Sequence, residues 1–183
     1  MALPSKLYRF KIELSDLEKS VYESLDLRVA QHPSESMNYL LTRVFAYALS
    51  FEEGIQFSQL GLADPDSPCI SVIDPVSVNG NDIKVCIEIG NPNERRIHKA
   101  SKSAKILKIY TYKDPQVLMT EIRNHDIFRK DLIQVYSIKA SFLDELEKSV
   151  KKDNRWTLIY NDGVMMLNAD DFSFEVEILR IQL

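Results

Sequence analysis

The chain has 183 residues, a formal net charge of −4 and a hydrophobic content of 45%, which is enough to bury one sizeable core. We therefore expect a single domain over residues 1–183. The negative charge argues against a protein that coats nucleic acid through a wholly basic surface, although it allows a local basic groove. Two cysteines without CxxC spacing exclude a disulfide framework. Because the sequence has no signal peptide and no run of about 20 apolar residues, we expect a cytoplasmic protein with no membrane association.

The N-terminal part predicts two paired strands and a long helix. Alternating apolar residues predict a strand over 7–14 and a partner strand over 23–30. The helix is predicted to begin at Pro33, with Ser34 as an N-cap type and Glu35 in the first turn, and to run to about residue 50. Helical periodicity places Glu35 on the polar face, away from the apolar stripe, which argues against a buried role for this carboxylate.

The middle of the chain predicts a hairpin followed directly by a basic helix. Residues 51–66 are polar and acidic and predict a loop with room for one short strand. An apolar, β-branched stretch over 69–78, the turn signal Asn79-Gly80 and the alternating stretch 82–89 predict a β-hairpin. After Gly90, the segment from Glu94 onward predicts a helix whose buried stripe is Ile97, Ala100, Ala104 and Leu107.

The last part of the chain alternates strands and helices. Strands are predicted over 106–112, 132–138 and 172–181, and helices from Asp114-Pro115 and over 142–150. The turn Asn161-Asp162-Gly163 joins two further strands, 156–160 and 164–167, into a second hairpin. This order predicts an α/β (α+β) domain with a central mixed sheet flanked by helices.

Glu88 is a carboxylate in an otherwise apolar strand, which makes it the first candidate site residue. A buried carboxylate is costly without a cationic partner, and by helical phase Arg96 lies on the flank of the following helix, within reach of Glu88. The opposite face of that helix carries Arg95, His98, Lys99, Lys102 and Lys105. Two interpretations remain open: a functional cleft with a phosphate-binding ridge, or a loop-anchoring ion pair beside a solvated basic face.

Several sequence blocks resemble, in the same order, the YaeQ family of small bacterial proteins. They are Met1-Ala2-Leu3, His32-Pro33-Ser34-Glu35, Gln56-Phe57, Gly61-Leu62, Ile87-Glu88-Ile89-Gly90, Glu94-Arg95-Arg96-Ile97 with Lys99-Ala100, Tyr110-Thr111-Tyr112 and Asp162-Gly163. The resemblance spans essentially the whole chain. It implies a fold similar to the PD-(D/E)-x-K nuclease superfamily, a restriction-endonuclease-like αβββαβ core, although fold by itself does not define activity.

The same resemblance implies a Mg²⁺ site built from acidic side chains. Glu88 corresponds to the acid on the strand, and Glu35 corresponds to the glutamate of the first helix, with Ser34 beside it in the cleft. The second strand acid has no direct match, because Pro68 is followed by Cys69 instead of a carboxylate. The nearest substitutes as metal ligands are Asp66 and Asp74, with Asp64 as a third.

The water-activating lysine of the superfamily is expected two residues after the strand acid, and that position is Gly90. Either a cation from the next helix has replaced this lysine, or hydrolysis has been lost. Arg96 and Lys99 are the candidate replacements in a catalytic role. Arg95 and Lys102 are the candidate phosphate-binding residues.

Two functions are therefore predicted. The first is a Mg²⁺-dependent nucleic-acid hydrolase, and the second is a non-catalytic binding module that uses the same cleft for nucleic acid or for a protein partner. A glycine-rich nucleotide loop, a serine nucleophile elbow and zinc-ligand spacing are all missing from the sequence. The enzyme classes that depend on those motifs are excluded.

Overall fold

The computed structural model describes residues 5–58, 67–76 and 82–182. Contacts within the chain group it into two compact units. The first unit comprises Met1–Leu49 with Ile138–Leu179, and the second comprises Ser50–Ser137 with Arg180–Leu183. Each unit has its own sheet and its own helices, and the expected single domain over 1–183 stays a prediction.

The predicted mixed α/β fold is confirmed, with four α-helices and two mixed sheets in the described residues. The helices are α1 (Met37–Leu49), α2 (Glu94–Ser103), α3 (Pro115–Asn124) and α4 (Ala140–Glu147). The strands are β1 (Lys6–Asp16), β2 (Val21–Gln31), β3 (Ile55–Phe57), β4 (Ile70–Ile73), β5 (Ile83–Ile89), β6 (Ala104–Thr111), β7 (Gln134–Ser137), β8 (Asp153–Asn161), β9 (Val164–Ala169), β10 (Phe172–Glu177) and β11 (Leu179–Ile181). None of the helices in this part of the chain has the length and apolar character needed to cross a membrane.

The first unit packs α1 and α4 with a five-stranded sheet of order β10-β9-β8-β1-β2. As predicted, β1 pairs antiparallel with β2, and it also pairs parallel with β8. Alternation along β1 buries Phe10, which contacts Trp156 of β8 with 4.8 Å between ring centroids. Phe45 of α1 stacks on the same indole at 5.8 Å. This aromatic cluster joins the helix to the sheet and forms the centre of the first core.

The predicted hairpin between β8 and β9 is confirmed. Asn161 pairs with Val164, and the two residues between them, Asp162 and Gly163, have φ angles of 49° and 74°. A two-residue turn of this kind needs positive φ at both positions, which glycine adopts freely and aspartate tolerates. Local turn chemistry was therefore sufficient to predict this element.

The prediction of one continuous strand over 172–181 is wrong, because this segment forms two strands, β10 and β11. The first part, β10, pairs antiparallel with β9, whereas β11 neighbours β7 in the sheet of the second unit. Ile178 separates the two strands, and its backbone N–H donates to the carbonyl oxygen of Gly163 at 2.8 Å. The apolar alternation of 172–178 breaks at Ile178-Leu179, where two apolar residues are adjacent, and the pairing partner changes at the same place.

The second unit contains a six-stranded sheet of order β11-β7-β6-β5-β4-β3. β4 and β5 are antiparallel, as the predicted hairpin requires, although its turn at Asn79-Gly80 lies outside the described residues. β5 and β6 are parallel and are connected through α2. Ile97 of α2, Ile109 of β6 and Ile122 of α3 belong to one buried cluster, which fixes α2 against the sheet.

Helix α2 ends at Ser103, earlier than predicted. Ala104 and Leu107, which were expected in its buried stripe, lie in β6 and are buried there. Arg129 Nη2 donates to the carbonyl oxygens of Ser101 at 3.1 Å and of Ala104 at 2.8 Å, so it satisfies backbone groups at the helix end. The prediction failed because two apolar residues three positions apart fit a helical stripe, and only pairing with β5 identifies them as strand residues.

Candidate anion-binding site

Glu88, near the carboxyl end of β5, is buried and ion-paired. Its Oε2 atom accepts a hydrogen bond from Nε of Arg96 at 2.8 Å. The Sγ atom of Cys69 lies 3.5 Å from the same oxygen and donates a weaker hydrogen bond. The predicted pairing of Glu88 with Arg96 is therefore confirmed, and a thiol occupies the place next to Glu88 where a second carboxylate was expected.

Strand and helix periodicity bring these side chains together. Cys86 and Glu88 project from the same face of β5, and Cys86 shares a buried cluster with Ile97 of α2, so α2 covers this face. The side chain of Asn93 caps α2 by accepting a hydrogen bond from the backbone N–H of Arg96 at 3.0 Å. The cap starts the helix at the position that places Arg96 beside Glu88.

Arg96 also joins the strand acid to the segment that precedes β4. Its Nη2 atom donates to the carbonyl oxygen of Ser67 at 3.0 Å and lies 3.8 Å from Sγ of Cys69. The Arg96 side chain is 29% exposed, whereas that of Glu88 is 4% exposed. The pair therefore has one enclosed partner and one partner that reaches solvent.

Gly90 explains why a lysine is missing from the position where the superfamily resemblance places one. β5 ends at Ile89, and Gly90 has a φ of 77°, with its backbone N–H donating to the carbonyl oxygen of Tyr110 at 2.8 Å. No described atom lies within 4 Å of the place where a Cβ would project. A lysine here would be strained by its backbone conformation, and its side chain would not continue the strand face that carries Glu88.

Burial controls the protonation of the acid and of the nearby thiol. It raises the pKa of Glu88 above its ordinary value, and the hydrogen bond and charge of Arg96 oppose only part of that rise. Burial also raises the pKa of the Cys86 thiol, with the negative charge of Glu88 as a smaller cause. Cys86 therefore stays protonated at neutral pH and is a poor nucleophile.

A cavity of about 350 Å³ opens between β5 and α2. Its wall includes the buried Glu88 and three cationic side chains from the first two turns of α2, namely Arg95, Arg96 and Lys99. Arg95 is largely exposed, with 91% of its side-chain surface open to solvent. Cations exceed carboxylates among these lining residues, so the cavity suits an anionic ligand.

Two of the predicted site residues, Lys102 and Asp74, do not line this cavity. Lys102 is exposed on α2 but is not part of the cavity wall. Asp74, just after β4, forms an ion pair with Lys105, whose hydrogen bond lowers the pKa of Asp74. Lys105 was predicted to lie on the exposed face of α2, but it lies on β6. The remaining candidate ligands, Asp64 and Asp66, lie outside the described residues.

The helix start predicted at Pro33 is wrong. Helix α1 begins at Met37, where the hydroxyl of Ser36 accepts a hydrogen bond from the backbone N–H of Tyr39 at 3.2 Å. Ser34 therefore lies outside the helix, and its exposed hydroxyl is 2.6 Å from Nδ1 of His32. The sequence offers several N-cap types in succession, and only the packing of α1 selects among them.

The expectation that Glu35 is not buried is also wrong. The Glu35 side chain is 0% exposed, and its Oε1 lies 2.8 Å from Nε of Arg43. Its Oε2 accepts hydrogen bonds from Nη2 of Arg43 at 3.1 Å and from the backbone N–H of His32 at 3.0 Å. Burial raises the pKa of Glu35. Helical phase does not apply to this residue because it precedes α1, and its contacts belong to the first unit.

In the part of the chain that the structure describes, the donor chemistry around Glu88 does not fit Mg²⁺. This ion requires an octahedral shell of oxygen ligands, whereas Glu88 is engaged by a guanidinium and its other side-chain neighbour is a thiol. Within residues 5–58, 67–76 and 82–182, no three or more His, Cys, Asp or Glu side chains are grouped closely enough to hold a metal ion. The described residues near Glu88 thus offer more cationic groups than metal ligands.

Sequence reasoning missed two parts of the cavity wall. Neither Asn93 nor Cys86 is among the predicted site residues, yet both line the cavity. The period-two pattern of β5 carried the signal for Cys86, because it lies two residues before Glu88. Asn93 combines an N-cap role with a position at the cavity, and asparagine before a charged helix start is a recognisable cap.

Comparison with known proteins places the chain among bacterial relatives. The model of the family described as "YaeQ protein" matches residues 1–178, so the chain belongs to the YaeQ family. The "Uncharacterized protein YaeQ" of Escherichia coli (strain K12) is 28% identical over 190 residues, covering 100% of this chain and 98% of that protein. The protein of the same description from Salmonella typhi is 31% identical over 115 residues, or 61% of this chain and 59% of that one.

Two crystal structures of YaeQ proteins share the fold. The protein from Pseudomonas syringae is 25% identical with a TM-score of 0.85, over 100% of this chain and 98% of that one. The protein from Xanthomonas axonopodis pv. citri is 24% identical with a TM-score of 0.86, over 97% of this chain and 98% of that one. In both comparisons the alignment covers at least 97% of this chain.

Proposed function

We propose that the chain is a binding module that holds a phosphate group of a nucleic acid in the cavity between β5 and α2, without hydrolysing it. The observation that carries the proposal is the grouping of Arg95, Arg96 and Lys99 in the wall of that cavity. Phosphate binding to proteins depends on such clusters of cationic side chains at a concave surface. Because the net charge of the chain is −4, binding would be local to this cavity.

The ion pair of Glu88 and Arg96 supports a positioning role for the acid. Glu88 accepts from Nε of Arg96, and the carbonyl oxygen of Ser67 accepts from Nη2, so the guanidinium is held from two sides. A fixed guanidinium binds phosphate with a smaller entropy cost than a mobile one. Glu88 would then act through Arg96 and would not touch the bound phosphate.

Loss of hydrolysis is supported by the chemistry at two positions. Cys69 contacts Glu88 where a second carboxylate is expected, and Gly90 stands where the superfamily resemblance expects a lysine. A thiol is a poor ligand for Mg²⁺, and a glycine supplies no proton-transfer group. These two replacements favour a binding module over a metal-dependent nuclease.

Fluorescence anisotropy with labelled, 5′-phosphorylated single-stranded oligonucleotides tests the proposal. The double variant Arg95→Ala/Lys99→Ala should bind at least about tenfold more weakly than the original chain. The matched control Lys113→Ala/Arg123→Ala removes the same charge from exposed positions outside the cavity wall and should stay within about twofold of the original affinity. Equal losses in both double variants would refute a site in the cavity, and tighter binding of an acidic peptide than of any oligonucleotide would favour a protein partner.

A second candidate, Mg²⁺-dependent hydrolysis, is favoured by one observation: the Glu88 carboxylate lines the same cavity as the cations. This candidate needs Arg96 to release Glu88 and needs a second acid, for which Asp66 and Asp74 are the candidates. Incubation of DNA and RNA with Mg²⁺ or Mn²⁺ tests it, with Glu88→Ala as the control for a contaminating nuclease. Cleavage that disappears in Glu88→Ala would replace the binding-module proposal.

A further inference from the structure

A second cavity of about 270 Å³ lies beside the first in the same unit, and the two share Pro68 and Ile83 in their walls. Its polar lining consists of Gln56, Ser58, Ser67 and Ser71. No charged residue belongs to its described lining. The two cavities therefore offer adjacent surfaces of different chemistry, one cationic and one neutral with hydrogen-bonding groups.

Strand register shows that the two cavities lie on one face of the sheet. Gln56 of β3 pairs directly with Ser71 of β4, and Ser71 pairs directly with Cys86 of β5. Side chains of directly paired residues project from the same face of a sheet. Cys86 lines the first cavity, whereas Gln56 and Ser71 line the second. A ligand that extends from the cationic cavity along this row of paired residues would meet the hydroxyl of Ser71 and then the amide of Gln56.

The polar groups of the second cavity match the neutral part of a nucleotide. The Gln56 amide supplies both donors and an acceptor, and serine hydroxyls supply one donor each together with acceptor lone pairs. Glutamine amides pair with the hydrogen-bonding edge of adenine, and bases recognised in this way by a protein cavity are unstacked. Volumes of about 350 and 270 Å³ together fall within the range of about 300–1,000 Å³ that is typical of small-molecule sites.

We propose, on the basis of the phosphate-binding function above, that the second cavity binds the base of the nucleotide whose phosphate lies in the first. The ligand class is then an unpaired terminal nucleotide of a single strand, and not an internal segment of a duplex. An internal duplex base is paired and stacked on both sides, so its entry into a cavity would require unpairing and unstacking. An unpaired end avoids that cost.

The test uses two labelled oligonucleotides that share a 5′-phosphate and differ only in the first nucleotide, which is an adenosine in one and an abasic analogue in the other. The original chain should bind the adenosine probe at least about tenfold more tightly. In Gln56→Ala and in Ser71→Ala this preference should fall to about threefold or less, with the affinity for the abasic probe unchanged. The control Gln116→Ala, on the exposed face of α3, should keep the full preference.

Two outcomes would overturn the inference, and they differ from failure of the function on which it rests. The base-binding role is refuted if the original chain binds the two probes with equal affinity, or if Gln56→Ala weakens binding of both probes equally. The phosphate site is retained in that case as long as binding still depends on Arg95 and Lys99. If neither probe depends on Arg95 and Lys99, the phosphate site itself is refuted. Thermal unfolding of each variant checks that the chain is folded.

Discussion

Among the described residues, each unit has a buried glutamate paired with an arginine, and the two pairs differ in their access to solvent. In the first unit, the side chains of Glu35 and Arg43 are 0% and 6% exposed. In the second unit, those of Glu88 and Arg96 are 4% and 29% exposed. Both contacts measure 2.8 Å, and burial raises the pKa of both carboxyl groups. Pairing and protonation therefore do not distinguish a structural pair from a pair at a site.

The surroundings of the arginine make the distinction. Arg43 also donates to the carbonyl oxygen of Ala30, while Glu35 accepts from the backbone N–H of His32, so this pair ties α1 to the segment that precedes it. Arg96 instead lies in a cavity wall with Arg95 and Lys99. A buried ion pair is thus a candidate for binding only where its cation reaches a concave surface that carries further charge of the same sign.

The largest predicted effect is on stability, at the enclosed pair. Arg43→Met should lower the free energy of unfolding by about 3–5 kcal/mol, because it leaves Glu35 as a buried carboxylate without its cation. Urea unfolding followed by fluorescence of Trp156 measures the change. Arg28→Met, at an exposed position of β2, should change stability by less than about 0.5 kcal/mol. The double variant Glu35→Gln/Arg43→Met should recover part of this stability, because it no longer buries an unpaired carboxylate. A loss below about 1 kcal/mol in Arg43→Met would contradict the expected difference between the enclosed pair and the open pair.

The next effect separates binding from stability at the open pair. Arg96→Met should weaken binding of a 5′-phosphorylated oligonucleotide by more than about tenfold. Its cost in stability should be about 1–2 kcal/mol, smaller than that of Arg43→Met, because the solvent that already reaches Arg96 can hydrate Glu88 once the guanidinium is removed, whereas Glu35 stays enclosed. Anisotropy and urea unfolding on the same preparations give both values. A stability loss equal to that of Arg43→Met, with binding intact, would make the two pairs equivalent.

A third prediction concerns pH and isolates the acid of the open pair. The folded protein holds the Glu88 proton more tightly than the unfolded chain does, since burial raises the pKa above its ordinary 4.5. The stability that results is fully present below about pH 4.5 and is lost as pH rises through the folded pKa. Glu88→Gln removes this dependence, so its stability should rise relative to the original chain as pH increases above 4.5. Parallel curves of unfolding free energy against pH for the two proteins would contradict this prediction.

The smallest predicted effect is that of divalent metal. Because Arg96 and Cys69 both contact the Glu88 carboxylate, Mg²⁺ at about 5 mM should shift the thermal unfolding midpoint by less than about 1 °C. Differential scanning fluorimetry with and without EDTA measures the shift, and Glu88→Gln provides the comparison. A rise of several degrees that Glu88→Gln abolishes would establish a metal site at the open pair and would revive the hydrolase candidate.

Much of the fold was predictable because its signals are local. Alternation identified β1 and β5, Asp162-Gly163 identified a hairpin, and Asp114-Pro115 identified the start of α3, where Asp114 caps the helix. The errors occurred where a distant partner decides the outcome. α2 ends because Ala104 and Leu107 pair with β5, and the last strand divides because β11 neighbours β7 instead of β9.

The sequence by itself determined that Glu88 has a cationic partner and that Arg96 is that partner. An acid within an apolar strand must be neutralised, and helical phase leaves one nearby arginine on the correct flank. Only the tertiary structure decided that Cys69 and the Ser67 carbonyl join this pair, that Gln56 and Ser71 lie on the same sheet face, and that Glu35 is enclosed. The reason is physical: strand register and helix packing set the contacts between residues far apart in the chain, and solvent access depends on those contacts.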